Sequence, residues 1–190
     1  MTTIWWVRHG PTHAKAMVGW TDVPADLSDQ AAVARLREYL PAGVPVLSSD
    51  LSRTRATADA IAGARPRLPV ERDLREIHFG NWEGKRVDEV TGAEATRLRR
   101  FWDAPGEDPA PGGESWNTLL DRVDRAEARL TEAHDHLIIV AHLGVIVSRL
   151  QRALGISPYD AFGHAIAPLS VTCIRWDGDA ATVNPINHTP

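Results

Sequence analysis

Two histidines and two arginines lie where short strands are predicted to end. Arg8 and His9 follow an N-terminal run of β-branched and aromatic residues. Arg53 comes shortly after a second short run, and His142 directly follows an apolar one. An arginine side chain offers a planar fork of N–H donors to phosphoryl oxygens, and an imidazole can attack phosphorus. The four residues therefore predict a phosphoryl-transfer site that needs neither a metal ion nor a cofactor.

A proton donor is also needed, because the leaving oxygen must be protonated as its bond to phosphorus breaks. Glu76 is the candidate: burial would raise its pKa, so that it gives up a proton first and then activates water as a carboxylate. Asp73 and Glu83 are the alternative acids. The competing structural interpretation is an ion pair between Glu76 and Arg72 or Arg75.

The elements that must position these residues alternate between strand and helix. The predicted order is a strand over 3–7, a helix capped by Ser28, a strand over 44–48, a helix capped by Ser49 or Asp50, a helix over 114–133, a strand over 137–140, a helix over 145–154 and strands over 169–176 and 181–186. This order predicts a three-layer α/β fold, with a mostly parallel central sheet and helices on both faces. Ligands bind such sheets beyond the carboxyl ends of the strands, so the four residues are expected to converge.

The middle of the chain has weaker periodicity. Residues 71–113 are predicted to form a small cap-like insertion within a single domain spanning 1–190. In the following helix, charged residues including Arg122 and Arg125 are predicted to form a solvated face. Trp20 and Trp82 are candidates for lining a substrate pocket.

Four sequence blocks resemble, in the same order, those of the histidine phosphatase superfamily, also called the phosphoglycerate mutase-like family. They are Arg8-His9-Gly10, residues 49–58, residues 74–84, and Val140-Ala141-His142 preceded by Gly113-Glu114-Ser115. The resemblance, which is greatest to the branch of small phosphatases, implies the following roles: His9 as nucleophile, Glu76 as proton donor, and Arg8, Arg53 and His142 as phosphate-binding residues.

Several positions depart from the family pattern, including Asp29-Gln30, which replaces a usual glycine early in the first helix. Pro11 follows the signature glycine where a glutamate is common, and Lys15 replaces a common asparagine. Lys15 is therefore a further candidate phosphate contact, with a charge in place of a neutral amide. Leu143 follows His142 where the family usually has glycine. These departures bear on substrate preference more than on the chemistry.

The sequence favours a phosphomonoester hydrolase over two alternatives, a phosphoglycerate mutase-type transferase and a non-catalytic phospholigand-binding module. Mutases of this family usually carry Arg-His-Tyr after the acid, whereas Ile77-His78-Phe79 follows Glu76. The segment before the second histidine is also shorter, and a mutase must hold its intermediate away from water.

The composition of the chain limits the classes of binding partner that are expected. A net charge of -4 over 190 residues gives no broad basic field, so a small phosphorylated metabolite is expected rather than nucleic acid. No apolar run is long enough to span a membrane, and the N-terminus lacks the features of a signal peptide, which favours a cytoplasmic location. The oligomeric state and the particular ester are left open.

Overall fold

The computed structural model describes residues 1–190 as one five-stranded sheet with six α-helices. The strands are β1 (Thr2–Arg8), β2 (Val46–Ser48), β3 (His136–Ala141), β4 (Val171–Asp177) and β5 (Ala180–Val183). The helices are α1 (Gln30–Tyr39), α2 (Ser52–Ala62), α3 (Ala93–Asp103), α4 (Trp116–Ala133), α5 (Leu143–Leu154) and α6 (Pro158–Phe162). The strand order is β2-β3-β1-β4-β5.

The sheet is parallel where the predicted site lies and antiparallel at one edge. β3 pairs in parallel with both β1 and β2, whereas β4 runs antiparallel to β1 and pairs with β5 as a hairpin. Three strands therefore bring their carboxyl ends to one edge of the sheet. The prediction of an α/β fold with a mostly parallel sheet is confirmed.

Side chains that alternate along β1 divide the core between the two faces of the sheet. Ile4 and Trp6 belong to a cluster that includes buried residues of α4 and α5. Val7 belongs to a second cluster, with buried residues of α1 and α2. Because successive strand residues point to opposite faces, this alternation produces three layers.

Two predicted helix caps are wrong. Asp29, not Ser28, caps α1, with its carboxylate accepting from Ala32 N–H at 2.9 Å. α2 follows Leu51 and has no side-chain cap. Ser49 and Asp50 are unavailable for capping because the Asp50 carboxylate binds Arg75 and the Ser49 hydroxyl bonds within the site described below.

The predicted insertion contains three 3-10 turns, at Arg72–Leu74, Gly80–Trp82 and Val87–Glu89, followed by α3. Its buried side chains, such as Phe79 and Phe101, belong to the same hydrophobic cluster as Ile4 and Trp6. The limits of a separate cap lobe stay a prediction. None of the helices has the length and apolar character needed to cross a membrane.

Candidate active site

The two predicted site histidines meet because β1 and β3 are parallel neighbours in register. Arg8 lies opposite Ala141, so the residues that follow them, His9 and His142, leave the sheet side by side. The His9 backbone N–H donates to Ala141 O at 3.1 Å. The two imidazole rings are 5.2 Å apart between centroids, at an interplanar angle of 63°.

His9 is held as a neutral imidazole with one ring nitrogen free. Its Nδ1 lies 2.7 Å from Gly10 O, and because a carbonyl can only accept, Nδ1 carries the proton and Nε2 keeps its lone pair. Burial lowers the pKa of His9 to about 3, and the charges of Arg53 and Arg8 act in the same direction. His9 is therefore neutral, and nucleophilic at Nε2, near pH 7.

Gly10 fixes the loop that carries His9. Its N–H donates to Thr57 Oγ1 on α2 at 3.0 Å. A Cβ at this position would lie 2.5 Å from Leu27 Cδ2. Any larger residue at this position of the Arg-His-Gly signature would therefore require the Leu27 side chain to move, and its Cβ would also lie 3.2 Å from Asp26 O.

A hydrogen-bond chain sets the tautomer of the fully buried His142. Arg53 Nε donates to His142 Nδ1 at 3.3 Å, so the ring proton is on Nε2 and is donated to Ser49 Oγ at 2.8 Å. The Ser49 hydroxyl in turn donates to Thr54 Oγ1 at 2.7 Å, and Thr54 donates to Leu51 O at 2.8 Å. No sequence pattern predicted this role for Ser49 and Thr54.

Arg53 is a buried cation and Arg8 a partly buried one, and neither forms a salt bridge with a carboxylate. Arg53 is 1% exposed and donates to Gly19 O at 2.6 Å and to Thr21 O at 3.0 Å. Arg8 donates to Ile166 O, while its Nε is buried and has no hydrogen-bond partner. Burial lowers the pKa of both guanidinium groups, yet arginine stays protonated in proteins. Two positive charges that no salt bridge pairs therefore lie beside the histidines.

Glu76 is buried against the first turn of α5. Gly144 N–H donates to both of its carboxylate oxygens, at 3.1 and 3.0 Å, and Ile77 N–H donates at 2.9 Å. A Cβ on Gly144 would lie 2.3 Å from Glu76 Oε1, so only glycine permits this contact. Burial raises the pKa of Glu76 despite these hydrogen bonds and the charges of Arg53 and Arg8. The carboxyl group thus has the elevated pKa expected of a proton donor.

The structural interpretation of Glu76 as an ion-pair partner is wrong. Arg75 binds Asp50 instead, at 2.7 and 2.6 Å. No salt bridge joins Glu76 to any arginine. Of the two alternative acids, Asp73 forms an ion pair with Arg129 at the surface.

Glu83, the other alternative acid, stabilises the loop that binds Arg53. It accepts hydrogen bonds from the backbone N–H groups of Gly19, Trp20 and Thr21 and from the Thr21 hydroxyl. Burial by itself would raise the pKa of Glu83, but these hydrogen bonds outweigh burial and lower it. Glu83 is therefore an anion that orders the loop whose carbonyls hold Arg53.

Arg122 is buried, which contradicts its predicted place on a solvated helix face. It is 6% exposed and donates to the backbone carbonyls of Asp73, Arg75 and Glu76 at 2.7–2.8 Å. The same guanidinium forms a bidentate pair with Glu114, at 2.7 and 2.8 Å. The pair fixes the backbone that carries Glu76. Amphipathic periodicity could not reveal it, because the carbonyls it binds come from a segment about 46 residues earlier in the chain.

Replacing Arg122 with methionine is expected to destabilise the fold by about 3–5 kcal/mol, because Glu114 would be left as a buried, unpaired charge. Urea denaturation measures this difference. Arg125 lies exposed on the same helix, so Arg125→Met is the matched control and should change stability by less than about 0.5 kcal/mol. Similar losses for the two variants would contradict the role assigned to Arg122.

The low pKa values of His9 and His142 predict that acid destabilises the fold. Burial lowers both below the ordinary value of 6.5. Below pH 6.5 the two histidines bind protons in the unfolded chain but not in the folded chain. The free energy of unfolding is therefore highest above pH 6.5 and decreases as the pH falls. Each histidine contributes a slope of about 1.4 kcal/mol per pH unit. The raised pKa of Glu76 acts in the opposite sense, since its stabilisation is lost as pH rises through the folded-state pKa.

A His9→Asn variant isolates one histidine, because Glu76 is retained in both proteins. Between pH 7 and pH 5 the parent chain should lose about 2 kcal/mol more of its unfolding free energy than the variant. Chemical denaturation at the two pH values measures the difference. Equal losses would mean that His9 is protonated in the folded protein at pH 5.

The two tryptophans expected at a pocket have different positions. Trp20 lies beside the site, where its indole N–H donates to Glu76 O at 2.8 Å and its ring lies 4.9 Å from the Arg75 guanidinium carbon. Trp82 is 1% exposed and packs in the core, so the prediction for Trp82 is wrong.

Lys15 is exposed and makes no hydrogen bond or ion pair, so no contact joins it to the other site residues. Its role as a phosphate contact stays a prediction.

A narrow cavity, here named the aromatic slot, opens beside Glu76. Its walls include Phe101, Trp102, Trp116 and Phe162, and its volume is about 50 Å³. Leu143 also lines it, at the position where the sequence departs from the family pattern. A wide surface depression elsewhere, beside Arg149 and Arg152, includes none of the predicted site residues.

Comparison with known proteins places this geometry in a family. The model of the histidine phosphatase superfamily (branch 1) matches residues 4–189. Phosphoglycerate mutase-like protein 4 of Arabidopsis thaliana is 33% identical over 194 residues, which cover 93% of this chain and 81% of the relative.

Two solved structures are similar over nearly their whole length. YhfR of Bacillus stearothermophilus has a TM-score of 0.90 at 27% identity, covering 100% of this chain and 98% of that one. The α-ribazole phosphatase of Shigella flexneri has a TM-score of 0.84, covering 99% and 97%, but at 21% identity this likeness shows the fold alone. Because the family model spans almost the whole chain, and its signature residues meet at one edge of the sheet, the protein belongs to the histidine phosphatase superfamily.

Proposed function

We propose that this protein hydrolyses phosphomonoesters through a phosphohistidine on His9, without a metal ion. The observation that carries the proposal is the pair of arginines, Arg8 and Arg53, which lie beside a neutral histidine, are partly or fully desolvated, and form no salt bridge with a carboxylate. A desolvated cation without a salt-bridge partner is unfavourable, and a phosphate dianion would pair with both. The arginines are therefore suited to bind the phosphoryl group.

The first step transfers the phosphoryl group to the protein. His9 Nε2 attacks phosphorus, the bond to the ester oxygen breaks, and Glu76 donates its proton to the leaving alcohol. In the transition state the three phosphoryl oxygens move apart and share negative charge. Arg8 and Arg53 stabilise that charge. The alcohol then departs, leaving phosphohistidine and the Glu76 carboxylate.

The second step returns the protein to its starting state. The Glu76 carboxylate accepts a proton from water, whose oxygen attacks phosphorus and displaces His9 Nε2. Inorganic phosphate leaves, and Glu76 is again protonated. Burial raises the pKa of Glu76, which favours the protonated form that the first step needs and makes the carboxylate a stronger base in the second step.

His142 is proposed to bind the phosphoryl group after a change of tautomer. In the structure its Nδ1 accepts from Arg53 Nε, so it cannot donate from that nitrogen. With the proton on Nδ1 instead, the Ser49 hydroxyl can donate to His142 Nε2 across the same 2.8 Å contact, and the Thr54 hydroxyl can donate to Ser49 Oγ. Arg53 Nε then faces a second donor at Nδ1, so it must donate to a phosphoryl oxygen instead. Ser49 can therefore stabilise the form of His142 that donates to phosphate.

The proposal is tested by trapping the intermediate. Mixing the protein with a ³²P-labelled ester and quenching in alkaline denaturant should leave label on the chain that is lost in acid, as phosphohistidine is. His9→Ala should carry no label, whereas the exposed-residue control His13→Ala should carry as much as the parent. Turnover without any trapped label, or acid-stable label, would contradict the covalent mechanism.

A phosphoglycerate mutase-type activity is the second candidate, because the Arabidopsis relative is named as mutase-like. A mutase must retain a substrate with further anionic groups, and no lysine, arginine or histidine lines the aromatic slot beside Glu76. Hydrolysis is therefore the better supported activity. Incubation with 3-phosphoglycerate and a bisphosphate primer separates the two, since a mutase yields 2-phosphoglycerate and a hydrolase yields phosphate.

A further inference from the structure

We propose that the aromatic slot binds the alcohol portion of the substrate, and that the preferred substrates are phosphomonoesters whose alcohol carries one flat aromatic ring or a short alkyl group. The inference rests on the proposed function, which it extends from the phosphoryl group to the leaving group. It is argued from the position of the slot, its chemistry and its size.

The slot lies where the leaving group must go. Glu76 and Gly144 are both part of its wall, and they form the carboxylate contact through which the proton donor is held. Because Glu76 has to reach the ester oxygen, that oxygen must be at the mouth of the slot when the phosphoryl group is beside His9. The rest of the alcohol then extends toward the aromatic side chains.

The wall of the slot offers almost no polar partner. Seven of its ten residues are hydrophobic, and Glu76 is the one that carries a charge. The indole N–H of Trp116 is already used, since it donates to Gln151 Oε1 at 2.7 Å. Sugar hydroxyls or a second phosphate would lose their water there without gaining hydrogen bonds, which disfavours polyhydroxy and multiply charged alcohols.

The aromatic walls suit a ring. Phe162 meets Trp102 at 5.8 Å and 87°, and Phe101 meets Trp102 at 5.2 Å and 88°, so ring edges and faces are both present around the cavity. Aromatic rings prefer such edge-to-face contacts. A cavity of about 50 Å³ exceeds several-fold the ~10–15 Å³ needed by one ordered water, but it is about a third of the ~150 Å³ that encloses benzene. The slot can therefore take the leading edge of one ring or a short alkyl group, but not a large group.

Benzyl phosphate and ethyl phosphate test the proposal, because their leaving alcohols have similar acidity and differ mainly in the ring. We expect kcat/KM for benzyl phosphate to exceed that for ethyl phosphate by about 10- to 100-fold, from burial of the ring's apolar surface. Glycerol phosphate should be a poorer substrate than either. A benzyl-to-ethyl ratio near one in the parent protein would overturn the proposal.

Variants assign the preference to the slot. Phe162→Ala should lower the benzyl-to-ethyl ratio by about 10-fold, since it removes one wall. Leu143→Trp should lower the ratio by filling the cavity, and it keeps the test decisive if Phe162→Ala does not fold. Tyr159→Ala, at a residue of α6 that is 66% exposed, is the control and should leave the ratio unchanged. An unchanged ratio in a folded slot variant would contradict the assignment.

Binding of non-hydrolysable analogues separates this proposal from the proposed function. Calorimetry on the whole chain should show that benzylphosphonate binds at least about 10-fold more tightly than methylphosphonate. If no ester is hydrolysed but this difference is found, the hydrolase proposal fails and the slot stands. If esters are hydrolysed and the phosphonates bind equally, the slot proposal fails alone.

Discussion

Replacement of His9 by alanine is expected to lower kcat/KM for every phosphomonoester by at least about 10⁴-fold, because no other group in the site can accept the phosphoryl group. His142 lies with its ring 5.2 Å from that of His9, but its Nδ1 accepts from Arg53 and its Nε2 donates to Ser49. Its lone pair is therefore engaged and cannot replace that of His9. Steady-state release of phosphate from benzyl and ethyl phosphate measures the loss.

The same variant should still bind inorganic phosphate. Arg8 and Arg53 remain, and their buried charges are what the anion neutralises. Phosphate should therefore raise the thermal unfolding midpoint of both His9→Ala and the parent protein, because a ligand that binds only the folded state stabilises it. Substantial turnover by His9→Ala would mean that water attacks the ester directly, and loss of phosphate binding would mean that the substitution disrupts the site itself.

Glu76→Gln is expected to lower kcat/KM by about 10²- to 10⁴-fold for alkyl esters, the range typical of a lost general acid. Glutamine has the same shape and keeps an oxygen that can accept from Gly144 N–H and Ile77 N–H. The loss should be much smaller for 4-nitrophenyl phosphate, whose leaving group needs no proton. Asp73→Asn is the control, since Asp73 is a surface partner of Arg129, and it should leave both esters unaffected. An equal loss for all esters after Glu76→Gln would argue against proton donation.

The pH profile provides a second readout for Glu76. Its raised pKa means that the carboxyl group keeps its proton to a higher pH than usual and loses it as pH rises through that value. Because the protonated form is the donor in the first step, kcat/KM should fall on the basic side, and Glu76→Gln should abolish that limb. His9 gives no acidic limb near its ordinary pKa, since burial lowers its pKa to about 3.

The arrangement explains how one site can bind a dianion and keep a nucleophile neutral. In the proposed mechanism Arg8 and Arg53 attract phosphate, and their charges also disfavour protonation of His9 and His142. Glu76 is the one acidic group buried beside them, and its charge interacts favourably with both guanidinium groups. Transfer of its proton to the alcohol creates a carboxylate that these arginines stabilise, which favours the first step.

Part of the site was predictable because strand ends converge. Apolar runs ending at Arg8 and before His142 indicated parallel strands, and parallel strands bring their carboxyl ends to one edge of a sheet. That rule predicts that the two histidines lie together. Arg53 followed from the same rule one strand further along.

The supporting residues were not predictable, because their partners are distant in the chain. The sequence pattern indicates only that Arg122 is one of several charged residues on an amphipathic helix. The packing of α4 against the segment near Glu76 shows that its guanidinium binds backbone carbonyls there. Glu83 reads as a possible acid, yet five hydrogen bonds from the 19–21 loop and Phe79 make it a structural anion. The local hydrophobic periodicity that predicts helices and strands contains no information about contacts between residues distant in the sequence.

The sequence by itself determined the elements of this protein and the chemical types of its central residues, since periodicity and strand-end position are local properties of the chain. Only the tertiary structure decided which nitrogen of His9 is free, why the pKa of Glu76 is raised, and where the aromatic slot opens. Each of these depends on burial and on partners from separate elements: Gly10 O for His9, α5 for Glu76, and α3, α4 and α6 for the slot. Desolvation and hydrogen bonding act across space, so they are settled only when the chain has folded.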